Sequence, residues 1–239
     1  MLRGQPVTAI IPVRGGSKGI PGKNLYRLGR DTLLERTIKI AKLCSYIDHI
    51  VVTTDDPEMY EIACRYSAAA PALRSAELAS DSAKTVDVVL NLIETVPITT
   101  GWVLLLQVTT PLRTLADLIA FCETFENGPV DSEAAVSLVH FDSPHPDKIQ
   151  KIEDGLVKSY LGKDSMVARQ SLPMVYALNG AFYMTHRDTL VSARTFMPQH
   201  TLPFIMPEDR SINLDTKMDV YVLEAMLERG VYSVEEYDL

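Results

Sequence analysis

Residues 7–25 read VTAIIPVRGGSKGIPGKNL, a short apolar run followed directly by a loop of glycines and cations. The run at 7–13 is rich in β-branched residues, which is typical of a buried strand. Glycines let backbone N–H groups approach an anion closely, and they permit a positive φ. The stretch therefore predicts a first strand that ends in an anion-binding loop, whose glycines and cations are Gly15, Gly16, Gly19, Gly22, Arg14, Lys18 and Lys23.

The loop matches neither of two familiar phosphate-binding patterns. A P-loop requires glycine five positions before Gly22 and Ser or Thr after Lys23, but the chain has Ser17 and Asn24 there. The G-x-G-x-x-G fingerprint of dinucleotide-binding folds is also missing. The plain alternative is a flexible basic loop on the surface, which the strand in front of it disfavours.

The distribution of charge supports a local anion site. The chain has 239 residues and a net charge of −8, which argues against a general nucleic-acid binder. All 31 acids lie after residue 30, whereas the first 30 residues carry six cations: Arg3, Arg14, Lys18, Lys23, Arg27 and Arg30. A concentrated basic element in an acidic chain indicates a site for an anionic ligand.

The remaining composition is typical of a globular protein with a buried core, since 46% of residues are hydrophobic and 23% are charged. No apolar run approaches the length of a membrane span, and the N-terminus lacks the pattern of a secretory signal. Three widely spaced cysteines and five scattered histidines show no metal-ligand spacing. We therefore expect a cytoplasmic protein without membrane contact.

Apolar strand-like runs alternate with helix-like segments along the chain. Further strands are predicted at 49–56, 102–108, 134–141 and 177–184, and helices after Thr32, after Asp56, and at 85–96, 114–126 and 218–229. This βαβα alternation predicts an α/β fold with a mainly parallel sheet. Such sheets bind ligands at the carboxyl ends of their strands.

Residues 143–178 interrupt the alternation, because they are rich in proline and charge and weakly periodic. We interpret them as an arm or lid inserted into a single domain that spans 1–239.

Five stretches, in order, resemble the CMP-N-acetylneuraminate (CMP-sialic acid) synthetases, the acylneuraminate cytidylyltransferases. They are IIPVRGGSKGIPGKNL (10–25), RSAELASDSAKTVDVV (74–89), LLQVTTPLR (105–113), ARQSLPMVYALNGAFY (168–183) and INLDTKMD (212–219). The resemblance implies a Rossmann-like, three-layer nucleotidyltransferase fold with a protruding dimerisation arm, and hence a homodimer. It also implies a reaction of CTP with a 2-keto sugar acid that gives a CMP-sugar and pyrophosphate.

The same resemblance assigns roles to the loop. Arg14, Lys18 and Lys23 would hold phosphates and help pyrophosphate leave, together with Gly15, Gly16 and Ser17, while Asn24 would fix the loop or the nucleotide. Arg74, Ser80, Asp81 and Ser82 match the segment expected to recognise cytosine and ribose. On the residues alone, Ser80 and Asp81 could instead cap a helix that begins near Ser82.

For the sugar acid, the resemblance implicates residues from three parts of the chain. Gln107 ends an apolar strand, although a buried glutamine satisfied by backbone is the alternative. Tyr183 could equally be core packing, and Lys148 and Arg169 could be solvated charges unless the arm reaches a partner's site. The remaining expected sugar-binding residues are Asn179, Gly180 and Phe196.

The resemblance also implies Mg²⁺ as cofactor. Few protein ligands are then needed, because substrate phosphates complete the coordination of the ion. The family carries two aspartates in a D-x-D arrangement, but this chain reads Asn213-Leu214-Asp215. Asp215 is the expected ligand, with Asn213 contributing through its amide oxygen or a water. Two alternatives follow: a nucleotide-binding protein with impaired turnover, or a cytidylyltransferase for another sugar acid such as Kdo.

Overall fold

The computed structural model describes residues 1–70, 73–96, 98 and 101–239. The strands are β1 (Val7–Pro12), β2 (Arg27–Leu28), β3 (Asp31–Thr32), β4 (His49–Thr53), β5 (Trp102–Leu105), β6 (Ala134–His140), β7 (Gln150–Glu153), β8 (Leu156–Ser159), β9 (Tyr176–His186) and β10 (Thr201–Met206). The helices are α1 (Leu33–Leu43), α2 (Pro57–Arg65), α3 (Thr85–Thr95), α4 (Leu115–Glu126), α5 (Arg187–Ala193) and α6 (Lys217–Glu228). Single 3₁₀ turns cover Lys23–Leu25, Pro146–Lys148, Arg169–Ser171 and Glu208–Arg210.

Six strands form one sheet in the order β10-β6-β9-β5-β1-β4. β1 pairs in parallel with β4 and β5, and β10 pairs in parallel with β6. β9 runs antiparallel to both of its neighbours. The predicted α/β fold with a mainly parallel sheet is confirmed, and the carboxyl ends of β1 and β5 lie side by side.

Helices cover both faces of this sheet. Strand side chains alternate between the two faces, and β5 is apolar on both, so each face needs a layer of helices to bury it. Trp102 and Leu104 of β5 pack in a large cluster with α1, α2, α4 and α6, whereas Val103 and Leu105 pack in a smaller cluster with α3 and α5. The two apolar clusters and the sheet between them give the three layers that the resemblance implied.

Two predicted helix starts are seen in atomic detail. Thr32 and Glu35 form a reciprocal capping box at the start of α1. The Asp56 carboxylate accepts from the backbone N–H groups of Glu58 and Met59, and Pro57 is the first residue of α2. These caps fix where the chain turns back after the glycine loop and after β4.

Residues between β6 and β9 leave the sheet and form the β7–β8 hairpin. Its turn, Asp154-Gly155, has a positive φ at both residues, as a two-residue hairpin turn requires. The hairpin exposes apolar side chains, including Ile152 at 81% and Val157 at 71%. It belongs to the arm predicted at 143–178, although residues 176–178 at its end pair with β6 as the start of β9.

The structure also contains strands that the sequence did not predict. β10 adds a sixth strand at the sheet edge, and β2–β3 and β7–β8 are small hairpins. Several predicted strands end earlier: the run at 102–108 is strand only as far as Leu105, which leaves Gln107 in the loop that follows.

Within the described residues, no helix combines the length and apolarity needed to cross a membrane.

Candidate active site

A cleft of about 510 Å³ opens at the carboxyl ends of β1 and β5. The predicted residues that line it come from four separate segments: Arg14, Ser17, Lys18, Lys23, Asn24, Arg74, Ser80, Asp81, Gln107, Asn213 and Asp215. Further lining comes from the chain on either side of them, including Gly19, Leu78, Thr85 and Thr109. The fold thus brings the glycine loop, the turn before α3, the end of β5 and the segment before α6 to one place.

The glycine loop is held from beneath by side chains. The amide of Asn24, which is 4% exposed, donates to the carbonyl of Arg14 at 2.8 Å. The carboxylate of Asp55 accepts from the backbone N–H of Gly15 at 3.2 Å. Gly22 takes a left-handed φ of 67° just before the 3₁₀ turn at Lys23–Leu25. These contacts set the path of the loop without using the N–H of Gly16.

The loop is also docked on the segment that carries Asp215. A Cβ on Gly19 would lie 2.1 Å from the Asp215 carbonyl oxygen, so only glycine allows this approach. The Lys23 ammonium donates to the carbonyl of Leu214 at 2.8 Å and lies 3.4 Å from the Asp215 carboxylate. The backbone N–H of Leu214 donates in turn to the carbonyl of Thr109 at 2.7 Å.

Each cation of the cleft faces a carboxylate. Arg14 lies 2.8 Å from Asp81, and Lys18 contacts the other oxygen of the same carboxylate. The hydrogen bond from Lys18 is the largest of the effects that hold the pKa of Asp81 below its ordinary value. Lys23 pairs with Asp215 as above. The cleft is therefore basic, but its charges are partly balanced.

Arg74 forms part of the wall opposite the loop. It donates to the carbonyl of Val13 at 2.8 Å and lies 3.6 Å from Asp55. Burial lowers its pKa, and its Nε has no hydrogen-bond partner among the described residues. The side chain is 6% exposed, so Arg74 is held rigidly at the cleft edge.

The alternative of a helix cap at Ser80 and Asp81 is wrong. α3 begins at Thr85 with Lys84 as its N-cap, so both residues lie in the turn before the helix. The Ser80 hydroxyl contacts that of Ser82 at 3.2 Å, and the Asp81 carboxylate faces the glycine loop.

Gln107 lies over the backbone of Gly180, which has a φ of 77°. A Cβ on Gly180 would lie 3.0 Å from the Gln107 side-chain oxygen and 3.6 Å from that of Asn213. The fully buried Arg113 holds this floor from inside, because it donates to the carbonyls of Gln107 and Ala181. Burial lowers the pKa of Arg113 to about 9.

The Asn213–Asp215 pair is the expected site for Mg²⁺. The Asp215 side chain is 63% exposed at the cleft, so its carboxylate fits a cation that also binds phosphates. Asn213 donates its amide N–H to Asp215 at 2.8 Å, which turns its own oxygen away. That oxygen is buried without a partner among the described residues. The structure does not bring the two expected oxygen ligands to one point, and of the two residues Asp215 alone presents an exposed oxygen.

Three of the expected sugar-binding residues lie in the interior. The Asn179 amide takes part in a buried network with Ser137 at 2.6 Å and Ser211 at 3.0 Å, which uses its polar atoms structurally. Tyr183 and Phe196 pack edge to face at 6.3 Å on the sheet face that α3 covers. Burial raises the pKa of Tyr183.

Lys148 and Arg169 lie in the arm, and Arg169 lines a second cleft, which shares no lining residue with the glycine-loop cleft. The Lys148 ammonium donates to the carbonyl of Ser165 at 2.6 Å and contacts that of Val167, which ties the arm to itself. Arg169 is 64% exposed and pairs with Asp142 at 2.8 Å. Within this chain, neither residue lines the glycine-loop cleft.

Three residues that support the site were missed by the sequence reasoning. They are Asp55, Arg113 and Asp219, whose carboxylate accepts from the backbone N–H of Asp215 at 3.0 Å and caps α6. Two local signals were available: Asp55 lies near the end of the strand predicted at 49–56, and Thr216 and Asp219 have capping-box spacing. Arg113 acts through tertiary contacts, with Ala181 and Thr37, that local patterns do not reveal.

Comparison with known proteins identifies the family. A family model described as cytidylyltransferase matches residues 8–228. The chain is 31% identical over 228 residues to CMP-N,N'-diacetyllegionaminic acid synthase of Legionella pneumophila, covering 93% of this chain and 96% of that protein. It is 30% identical over 213 residues to N-acylneuraminate cytidylyltransferase of Streptococcus agalactiae, covering 88% of this chain and 50% of that protein. The chain belongs to the cytidylyltransferase family, which confirms the resemblance.

The fold has a close counterpart among solved structures. CMP:2-keto-3-deoxy-manno-octonic acid synthetase complexed with CTP superposes with a TM-score of 0.66, covering 94% of this chain and 99% of that chain. Sequence identity to it is 14%, so this match shows a shared fold only.

The Gly19–Asp215 contact yields a first prediction. We expect Gly19→Ala to weaken binding of inorganic triphosphate by about tenfold or more, because the added Cβ forces apart the loop and the Asp215 backbone. Gly128→Ala is the matched control, since its Cβ would lie 2.5 Å from the Leu202 side chain, a comparable clash at a residue that does not line the cleft. Calorimetric titration of both variants measures the difference. Equal affinities would show that the close approach does not shape the loop.

Proposed function

We propose that this chain transfers the cytidylyl group of CTP to the anomeric hydroxyl of a nine-carbon 2-keto sugar acid and releases pyrophosphate. One observation carries the proposal: the basic glycine loop, Gln107 and Asp215 all line the same cleft. The two relatives named above act, by their names, on a legionaminic acid and on an N-acylneuraminate. Acidic nine-carbon sugars are therefore the acceptor class.

Positioning and charge neutralisation account for most of the catalysis of such transfers. The backbone N–H groups at Gly15, Gly16 and Ser17 and the cations Arg14, Lys18 and Lys23 would bind the triphosphate. Lys23 is the most firmly placed of these cations, because Leu214 and Asp215 hold its ammonium. Charge on the departing pyrophosphate would thus meet donors that are already in position.

The two ends of the cleft would hold the two other parts of the substrates. Arg74 and Ser80 would contact cytosine and ribose, because they line the cleft, and the Ser82 hydroxyl lies 3.2 Å from that of Ser80. Gln107 above Gly180 would orient the sugar acid. Its amide can both donate and accept, so it suits a ligand that carries hydroxyls and a carboxylate.

Asp215 would hold Mg²⁺ when the metal is bound. The ion would supply positive charge to the phosphate oxygens. Asn213 would act on Asp215 rather than on the ion, by holding the carboxylate through its N–H.

Three free cysteines, Cys44, Cys64 and Cys122, suit the reducing cytoplasm in which we place the reaction.

Pyrophosphate release tests the proposal directly. The protein is incubated with Mg²⁺, CTP and each of legionaminate, N-acetylneuraminate, pseudaminate and Kdo, with ATP, GTP and UTP as nucleotide controls. We expect release with CTP and a nine-carbon acid only. Release with Kdo alone would assign the chain to the other acceptor class, and silence across the panel with CTP still bound would favour a protein without turnover.

The Asn213–Asp215 pair gives a prediction about the metal. We expect Asp215→Asn to lower kcat at least about a hundredfold, because the one carboxylate placed for Mg²⁺ is lost. Asn213→Asp should stay within about tenfold of the unaltered protein, because Asn213 only orients its neighbour. A sharp gain in Asn213→Asp, measured over a range of Mg²⁺ concentrations, would show that the amide limits metal binding.

We also propose that residues 143–178 are a dimerisation arm within one cytidylyltransferase domain. The exposed apolar side chains of the β7–β8 hairpin, Ile152, Leu156 and Val157, are well suited to a protein partner. Arg169 is exposed and could reach the cleft of a second copy, whereas Lys148 is occupied within its own arm. A shared site of this kind would require a homodimer.

Mixing two inactive variants tests the shared site. If Lys23 and Arg169 act in the same site from different chains, Lys23→Ala and Arg169→Ala should each be inactive alone. After unfolding and refolding together, about a quarter of the sites should be intact, since half of the dimers are mixed and each has one complete site. No recovery, together with a monomeric mass by light scattering, would refute the dimer.

A further inference from the structure

Asp81 occupies an unusual place among the residues of the cleft. One oxygen lies 2.8 Å from Arg14, and the other contacts the ammonium of Lys18. A carboxylate and a phosphate offer guanidinium and ammonium groups the same kind of charged oxygen. Asp81 therefore satisfies the two loop cations in the way that a phosphate group would.

The remaining cations of the cleft are held differently. Lys23 donates to the carbonyl of Leu214 at 2.8 Å and Arg74 to that of Val13 at 2.8 Å, so both have close neutral acceptors in addition to a carboxylate. The contact of Arg14 with a carbonyl, that of Ala79, is longer, at 3.4 Å. Both side chains are largely buried, at 15% and 6% exposed. They can accept an anionic ligand without releasing these carbonyl contacts.

Asp81 is held more loosely. Among the described residues, its carboxylate has only Arg14 and Lys18 as charged partners, and its side chain is 45% exposed. Lys18 is 81% exposed. Asp81 lies in the turn before α3, so the two ion pairs join this turn to the glycine loop.

We propose that Asp81 is a built-in competitor of pyrophosphate and of the β- and γ-phosphates of CTP for Arg14 and Lys18. This inference rests on the proposed function for its biological setting, but not for its test. An incoming polyphosphate must displace the carboxylate, which lowers affinity. After transfer, the carboxylate returns to the two cations and favours release of pyrophosphate. Asp81 thus sets nucleotide affinity and product release, rather than binding ribose.

Asp81→Asn tests the competition, since an amide keeps the shape of the side chain and removes its charge. Binding of inorganic pyrophosphate, and separately of CTP, is measured by calorimetry with EDTA present and no sugar acid. We expect both dissociation constants to fall about threefold to tenfold, the range for the loss of two exposed ion pairs. The gain should shrink at high salt, because exposed charges are screened.

Asp87→Asn is the matched control. Asp87 pairs with Arg194 at 2.6 Å, has a side chain 41% exposed, and does not line the cleft within the described chain. The Asp87→Asn substitution also removes one negative charge from an acidic protein, so it measures the general effect of net charge on anion binding. We expect its dissociation constants to stay within about twofold of the unaltered protein.

Three results would overturn the proposal. Unchanged or weaker binding in Asp81→Asn would show that Asp81 positions the cations for the ligand. An equal gain in Asp87→Asn would reduce the effect to net charge. Absence of pyrophosphate binding in both proteins would remove the competition altogether. Tighter pyrophosphate binding in Asp81→Asn without any transfer from CTP would instead refute the proposed reaction and leave the competitor role intact.

Discussion

The close approach of Gly19 to the Asp215 carbonyl is the constraint on which the site depends. It joins the loop after the first strand to a segment near the end of the chain, and the Lys23–Leu214 hydrogen bond reinforces the contact. The sheet makes this possible, because β1 and β5 lie side by side and the backbone of Leu214 is bonded to Thr109 just beyond β5. A side chain at position 19 would separate the anion-binding loop from the carboxylate that faces it.

Charge is distributed around this contact in opposed pairs. An acidic chain that binds a polyanion needs local cations, and it places them in a loop without acids. Unpaired cations so close together would repel one another. Asp55, Asp81 and Asp215 each offset part of that repulsion, and they differ in how firmly they are held. Asp55 is bonded to the Gly15 backbone, whereas Asp81 contacts the side chains of Arg14 and Lys18.

The sequence predicted the architecture well, because buried strands and capped helices leave local patterns. Apolar β-branched runs located β1 and β4, and cap residues located α1 and α2. β10 escaped because Pro203 and its alternating exposure on an edge strand do not resemble a buried run. The reversed direction of β9 is a property of the sheet, which no local pattern encodes.

The candidate site was predictable where one segment contains its own chemistry, and not where chemistry depends on contacts between segments. The glycine loop belongs to the first case. Asn179 and Lys148 belong to the second: their polar groups are used by Ser137 and by the Ser165 carbonyl, which only the folded chain brings near.

Asn213 shows how a change of one residue can preserve a site. Two neighbouring aspartates would place like charges side by side and would need a cation to hold them together. An asparagine at the first position donates an N–H to the second, so the Asp215 carboxylate is oriented by Asn213 on one oxygen and by Lys23 on the other. Both contacts are made by the chain itself. The carboxylate is therefore held ready before any ligand arrives, and the loss of one acid need not mean the loss of the site.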